Sequence, residues 1–512
     1  MLAKVHSCTI LGIKGVPLEI EVDIANGLPA FDIIGLPDAS VREAKERVRS
    51  AIRNSGYDFP YSRVTVNLAP ADLKKEGPAF DLAIAVAFLA ATGQIPKSDR
   101  LENAIFVGEL SLNGDLRSIH GTLAMALSLS ELEDYRNKKL FLPKANSSEA
   151  ALVSNISVRG PETLTELVSY LCGNKELPST LPATEQSQEV NGNELDFCEV
   201  RGQETAKRAL EIAAAGAHNL LLYGPPGSGK TMLARRIPSI LPAPTLDDIL
   251  EITRIHSVAG QLSPDKPLLR ERPFRSPHHS ASTTGIIGGG KIPRPGEVSL
   301  AHLGVLFFDE MPEFNREILE ALRQPLEDRN VTVTRAAATI TYPADFMFIG
   351  SMNPCPCGNY GDPLRECRCS PNQIARYRNK LSGPLLDRID IQVEVPGLNY
   401  DQLKKEKPGE GSSGIRNRVE NARHKQRERY KNIKATTNAQ LRSRQFDKHC
   451  PLTDEARKLL HISFQSLGLS MRAHDRIIKV ARTIADLDNS DLIEANHIAE
   501  AVQYRNLDRQ NL

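Results

Sequence analysis

At 512 residues the chain is too long for one hydrophobic core, so several domains are expected. Lysine and arginine number 64 against 63 acidic residues, and the resulting net charge of +1 excludes recognition of any partner by bulk charge. Eight cysteines, an opening (Met1–Ser7) with no apolar core or small-residue cleavage site, and a longest apolar stretch (Leu82–Thr92) too short for a bilayer predict a cytoplasmic protein with reduced thiols and no membrane association.

Val5–Ile24 and Arg63–Leu68 alternate apolar and polar residues as half-buried strands do, while Asp38–Ser55 and Phe80–Ala91 carry helical spacing. Together they predict a compact α+β domain over residues 1–173. Residues 174–195 (NKELPSTLPATEQSQEVNGNEL) have no apolar period and read as an exposed linker. Glu199–Ala215 predicts a helix that leads into an α/β core over residues 196–400. The Gly/Ser/Lys-rich break Lys404–Gly414 then opens a helical region, residues 401–512.

Inside the core, Leu220–Tyr223 predicts a buried strand, followed by Gly224-Pro225-Pro226-Gly227-Ser228-Gly229-Lys230-Thr231 and by the helical Met232–Arg235. Such a strand–loop–helix turn aims several backbone N–H groups at one small volume. With the Lys230 ammonium they can cradle the β- and γ-phosphates of ATP, and Thr231 is placed to ligate Mg²⁺. An accidental glycine-rich turn is the bland alternative. Against it stands Val305–Phe308, a continuous apolar run that reads as a strand covered on both faces and ends in Asp309 and Glu310. Carboxylates there lie where open α/β sheets bind ligands; Asp309 is expected in the Mg²⁺ shell and Glu310 on the attacking water.

Between these two motifs, Arg272–His279 and Gly288–Glu297 form a long insertion. The adjacent His278 and His279 have no third ligand nearby, so the Gly/Pro/basic loop reads as an exposed element that touches a partner. Thr332–Thr341 predicts a hairpin around Arg335. Phe346–Met352 predicts another buried strand, and Asn353 at its end is placed to sense the γ-phosphate or position the water. Cys355, Cys357, Cys367 and Cys369 form two C-x-C pairs nine residues apart, an array that predicts a structural Zn²⁺ bracing the loop. Arg388, between Asp387 and Asp390, and Arg472, before a helix over Arg476–Ala485, supply guanidinium groups of the kind phosphoryl transfer needs, often from a neighbouring subunit. A buried Arg388 paired with Asp387 or Asp390 is the structural alternative. Arg416–Lys448 holds eleven Lys/Arg against three acids, and a nucleic-acid footprint and a solvated helix face fit that run equally well.

These residues, in the strings RPFRSPHHSAS, IGGG with PRPGE, SLAHLGVLFFDE, MNPCPCG and SGPLLDRID, resemble the Mg-chelatase-like AAA+ ATPases over essentially the whole chain. The resemblance implies a Lon-protease-like (S5 domain 2-like) first domain, a P-loop AAA+ core and a helical C-terminal lid. It implies Gly224–Thr231 as Walker A, Asp309 and Glu310 as Walker B, Asn353 as sensor 1, Arg388 as a trans arginine finger and Arg472 as sensor 2. It also implies a homo-hexameric ring whose pore is lined by Gly288–Gly296 and the Arg335 hairpin, with Lys291, Arg294 and Arg335 as DNA contacts. In the first domain, Ala79 stands where Lon proteases carry the nucleophilic serine and Met125 where they carry the dyad lysine, so the fold is expected without the proteolysis.

The function the resemblance implies is an ATP-driven DNA helicase that promotes branch migration while incoming DNA is recombined during natural transformation. It would bind branched or double-stranded DNA without sequence preference, through phosphate contacts. A Mg-chelatase-type motor subunit and an ATP-dependent protein remodeller are the alternatives. The Lon-like domain, which dedicated chelatase motor subunits lack, counts against the first of these.

Overall fold

The computed structural model describes residues 1–182, 195–263, 266–290, 293–335, 338–361, 365–397 and 409–505. Lys291, the Arg335 side chain, most of the 174–195 linker and residues 404–408 of the Gly/Ser/Lys-rich break lie outside the described residues.

The alternating stretch Val5–Ile24 is two strands rather than one. Gly12, at φ +67°, lets the chain reverse, and Leu2–Leu11 pairs antiparallel with Lys14–Ala25 in a hairpin closed by Leu11 opposite Lys14. Among the described residues this hairpin is the middle of a seven-stranded sheet. Arg63–Ala69 and Ala30–Ile34 lie on one side of it; Ala104–Phe106, Lys139–Phe141 and Ser157–Arg159 lie on the other. The helix Asp81–Ala91 packs on the sheet, buried at every position except Ala90, which explains why its sequence is apolar all round. Its first residue, the fully buried Asp81, is held by the forked guanidinium of Arg47 at 2.7 and 3.0 Å.

The second unit is a parallel sheet in the order Phe274–Arg275, Val305–Phe308, Met347–Met352, Leu220–Tyr223, Ile391–Glu394. The three central strands are buried at every position, as strands covered by helices on both faces must be. Leu220 pairs with both Ile349 and Ile391, and Tyr223 with both Met352 and Glu394, so all the carboxyl ends open on one edge.

Helices Ser412–Arg429, Asp454–Ser466, Met471–Leu487 and Ala495–Gln503 share one hydrophobic core with the sheet and with helix Glu204–Gly216. Much of the basic run Arg416–Lys448 is consumed here. The last carbonyls of a helix have no partner within it; those of Ala214 and Ala215 accept from Arg423 at 2.8 Å and Gln426 at 3.1 Å. Arg416 donates to the Ser239 carbonyl at 2.9 Å, and Arg418 and Arg429 pair with Glu211 and Asp486. The arginines on this helix are therefore largely packing groups, in place of either the free footprint or the solvated face that composition suggests. Arg427, Lys434, Arg442, Arg444 and Lys448 remain exposed.

The first domain docks on the second through helix Thr122–Glu131, which lies along helix Leu246–Val258. The buried Glu149 carboxylate accepts from Ser257 Oγ and from the Leu123 N–H at 3.0 Å, and the Gly121 N–H donates to the Ser257 carbonyl at 3.1 Å. Among the described residues no helix is long and apolar enough to cross a membrane.

Candidate functional site

The loop Gly224–Thr231 turns at the carboxyl end of the central strand. Gly224 has no room for a side chain, since a Cβ there would lie 2.1 Å from the Val395 carbonyl oxygen. Gly227 and Gly229 take φ of +79° and +93°. Lys230, at the start of the following helix, is buried. Its ammonium donates to the Gly224 carbonyl at 2.7 Å, the Pro225 carbonyl at 2.8 Å and Asn353 Oδ1 at 3.1 Å, and burial pulls its pKa down to about 8. It thus spans the loop at the level where a phosphate chain would lie.

Val305–Phe308 and Met347–Met352 end beside the loop and deliver the acids and Asn353. Thr231 Oγ1 donates to Asp309 Oδ2 at 2.8 Å, a hydroxyl–carboxylate pair that suits a Mg²⁺ shell. Glu310 is exposed and takes a left-handed backbone, φ +52° and ψ +49°. Such a conformation costs a non-glycine residue about 1 kcal/mol or more and is held by its surroundings. Here the holding group is Ser351, whose hydroxyl accepts from the Glu310 N–H at 3.0 Å and donates to Asp309 Oδ1 at 2.5 Å. Ser351 escaped the sequence reading, although a lone hydroxyl in a six-residue apolar strand was a signal. Gln203 escaped too: its amide donates to the carbonyls of Ser228 at 3.3 Å and Pro396 at 2.7 Å, tying the phosphate loop to the chain that leaves the sheet.

Arg388 and Arg472 are elsewhere. Arg388 precedes the amino end of strand Ile391–Glu394, so about 10 Å of sheet or more separates it from the loop. It pairs with Glu327 and donates to the Pro384 carbonyl at 2.7 Å, while its buried Nε has no partner among the described residues. Its acidic partner is thus neither Asp387 nor Asp390: Asp387 lies 3.6 Å from the exposed Arg472, and Asp390 is held by His218 and Arg476. Arg388 and Arg472 line one open cavity of about 990 Å³ with Arg442, Arg444 and Lys479. The candidate residues named from the sequence thus fall in two groups, with Lys230, Thr231, Asp309, Glu310 and Asn353 at the carboxyl end of the strands and Arg388 and Arg472 beyond the amino end of Ile391–Glu394.

Three family models cover most of the chain: magnesium chelatase, subunit ChlI, over residues 196–403; subunit ChlI of Mg-chelatase over 20–146; and the ChlI C-terminal model over 409–505. The protein YifB of Escherichia coli (strain K12) is 45% identical over 509 residues, 99% of this chain and 98% of its own. The chain belongs to the Mg-chelatase-like AAA+ family. The competence protein ComM of Haemophilus influenzae is likewise 45% identical, over 98% of this chain and 97% of its own. Lon protease 2 of Bacillus subtilis is 29% identical over 240 residues, 40% of this chain.

The insertions lie over the face of the sheet opposite the C-terminal helices: Ile286, Val298, Val331 and Tyr342 cluster with Leu221, Leu306 and Phe348, whereas the helices pack on Leu220, Leu222 and Phe307. Arg275 clasps Glu297 at 2.6 and 2.7 Å, joining the RPFRSPHH segment to PRPGE. Gly288–Gly289 pairs antiparallel with Arg294–Pro295, and the Arg294 side chain is exposed. The hairpin Asn330–Arg335 with Ala338–Pro343 stands next to it, tied by Tyr342 Oη to the Pro293 carbonyl at 2.7 Å. The His278 and His279 rings lie 4.0 Å apart, tilted by 35°, and His278 Nδ1 is taken by Ser280 at 2.8 Å.

The four sulfurs of Cys355, Cys357, Cys367 and Cys369 lie within 4.8 Å of one another. The Cys355–Cys357, Cys355–Cys367 and Cys357–Cys367 separations are 3.4, 3.7 and 3.7 Å. Tetrahedral Zn²⁺ with Zn–S of about 2.3 Å sets sulfurs about 3.8 Å apart, so the cluster fits that ion. Backbone N–H groups of Asn359 and Arg368 aimed at Cys357 hold its thiol below the usual range. In the first domain, the half-buried Ala79 and the buried Met125 share one apolar cluster, and neither offers a nucleophile or a base.

Proposed function

We propose that this chain is an ATP hydrolase that works as a homo-hexameric ring and moves on branched or double-stranded DNA, promoting branch migration in recombination of incoming DNA. The observation that carries the reading is the split of the site: Lys230, Thr231, Asp309, Glu310 and Asn353 lie at one end of the sheet, and Arg388 and Arg472 at the other. A complete phosphoryl-transfer site then needs a second copy, whose arginine half meets the first copy's phosphate loop.

In this reading the loop amides and Lys230 bind the β- and γ-phosphates. Thr231 and Asp309 hold Mg²⁺, which neutralises developing charge when bound. Glu310 orients and polarises the attacking water, with its position fixed through Ser351, and Asn353 holds Lys230 toward the γ-phosphate. Arg388 and Arg472 of the neighbouring copy stabilise charge on the transferring group, a role worth about 10³- to 10⁵-fold in kcat for arginine fingers.

DNA as the track is supported by the exposed Arg294 on the clasped insertion, by the hairpin that ends at Arg335, and by the competence name of the full-length relative ComM. The packing of the Arg416–Arg429 arginines favours instead a protein remodeller of chelatase type, because it removes much of the expected DNA footprint. ATP turnover and strand exchange on a four-way junction, with Lys230→Ala as control, separate the two. Junction processing that needs ATP and Lys230 supports the DNA motor; turnover indifferent to every DNA gives the remodeller.

A further inference from the structure

The four-cysteine loop is built onto the nucleotide site. The strand that delivers Asn353 continues through Pro354 directly into Cys355, so one residue separates the Lys230 partner from the first sulfur. Gly358 (φ +82°), the residue after Cys357, rests on the phosphate loop: a Cβ there would lie 2.5 Å from Pro226 Cδ and 2.8 Å from Pro226 Cγ. Arg378 grips the same turn, donating to the Pro354 carbonyl at 3.2 Å and covering the Tyr360 ring at 5.2 Å.

We propose that the four sulfurs bind Zn²⁺ and that the ion's task is to seat this loop as a roof over Pro226 and as an anchor for Asn353, so that metal loading sets ATP affinity and turnover. Cys355 and Cys357 lie on one arm of the loop and Cys367 and Cys369 on the other. A metal joining the two arms closes a short loop and removes its freedom. Without the ion the arms keep only weak N–H···S contacts to each other, such as Arg368 N–H to Cys357, and the seat of Gly358 on Pro226 loses its lock. A shift of about 1 Å in a phosphate-positioning group is enough to lower turnover by about 100-fold.

This inference rests on the ATP reading above, and the experiment keeps the two apart. The full-length protein is assayed for zinc per chain, for affinity toward a fluorescent ATP analogue and for ATP turnover. The assays are repeated after zinc removal with a mercurial and thiol, and again after adding Zn²⁺ back, with circular dichroism to establish that the fold survives. The expected result is one zinc per chain, with loss of about 10- to 100-fold in turnover on removal and recovery on reloading. Gly358→Ala, which leaves all four thiols in place, should keep its zinc and still show weakened nucleotide binding. Lys230→Ala should keep its zinc and lose turnover. Absence of zinc overturns the proposal; so does zinc whose removal leaves affinity and turnover unchanged, or a Gly358→Ala protein that binds nucleotide like the parent. A zinc-loaded protein that neither binds nor hydrolyses ATP would sink the ATP reading instead, with the metal site left standing.

Discussion

Asn353 Oδ1 accepts a hydrogen bond from the Lys230 ammonium at 3.1 Å, and this contact joins the ends of two neighbouring parallel strands across the mouth of the phosphate loop. Asn353 cannot change its reach without releasing Lys230. Removing a preorganised polar group of this kind costs about 100-fold in kcat, or roughly 3 kcal/mol. Asn353→Ala should therefore lower kcat by about that factor while changing the KM for ATP far less. Steady-state kinetics decide it: a raised KM at constant kcat would make Asn353 a binding group only.

Lys230 gives a pH signature. Its pKa is pulled by burial from 10.5 to about 8, so between those values the folded chain holds fewer protons here than the unfolded chain. This one group therefore makes the empty fold more stable as pH rises through that window. Nucleotide binding runs the opposite way, because the phosphates need the ammonium. Affinity for an ATP analogue should be level below pH 8 and fall above it, toward about tenfold per pH unit. A dissociation constant unchanged from pH 7 to pH 9, after correction for the nucleotide's own titration, would separate Lys230 from phosphate binding.

The parts of this site that could be read in advance were those carried by contiguous residues. Gly224–Thr231 spells its own turn through Gly227 and Gly229, and the apolar runs before Asp309 and Asn353 announce strands buried on both faces. Ser351 was not legible in the same way. Its partners Asp309 and Glu310 are on another strand, and only the order of the sheet, with Val305–Phe308 beside Met347–Met352, brings them together. The arginines of 416–429 misled for a related reason. Composition counts charge, whereas Arg423 and Arg416 answer to helix-end carbonyls of Ala214 and Ser239 that no local pattern displays. Arg388 was legible as a candidate, but its place at the far end of the sheet from Lys230 follows from strand register.

That separation predicts complementation. Lys230→Ala and Arg388→Ala should each abolish turnover, and Arg388→Ala should still bind nucleotide because its own phosphate loop is intact. Mixed one to one, the two variants form some interfaces that pair an intact loop with an intact arginine, about a quarter if assembly is random. Turnover should then reappear in the mixture. Silence from the mixture, with mixed rings demonstrated by mass, would assign Arg388 to its pairing with Glu327 within one chain.

Ala79 and Met125 of the first domain lie in one apolar cluster and offer neither a nucleophile nor a base, and the domain is attached to the ATPase unit through a buried contact. Glu149 is the residue on which that attachment turns. Its carboxylate is buried between the two domains, accepting from Ser257 Oγ on the ATPase side and from the Leu123 N–H on its own side. Glu149→Ala would strand both donors away from water, at a cost of about 1–3 kcal/mol for each buried group left unpaired. Glu149→Gln keeps an acceptor and should lose less. Two-domain unfolding followed by scanning calorimetry should show the two transitions separating in Glu149→Ala, with the first domain unfolding ahead of the ATPase unit. A single unshifted transition in that variant would mean that the apolar contact between helices Thr122–Glu131 and Leu246–Val258 holds the domains together without the carboxylate.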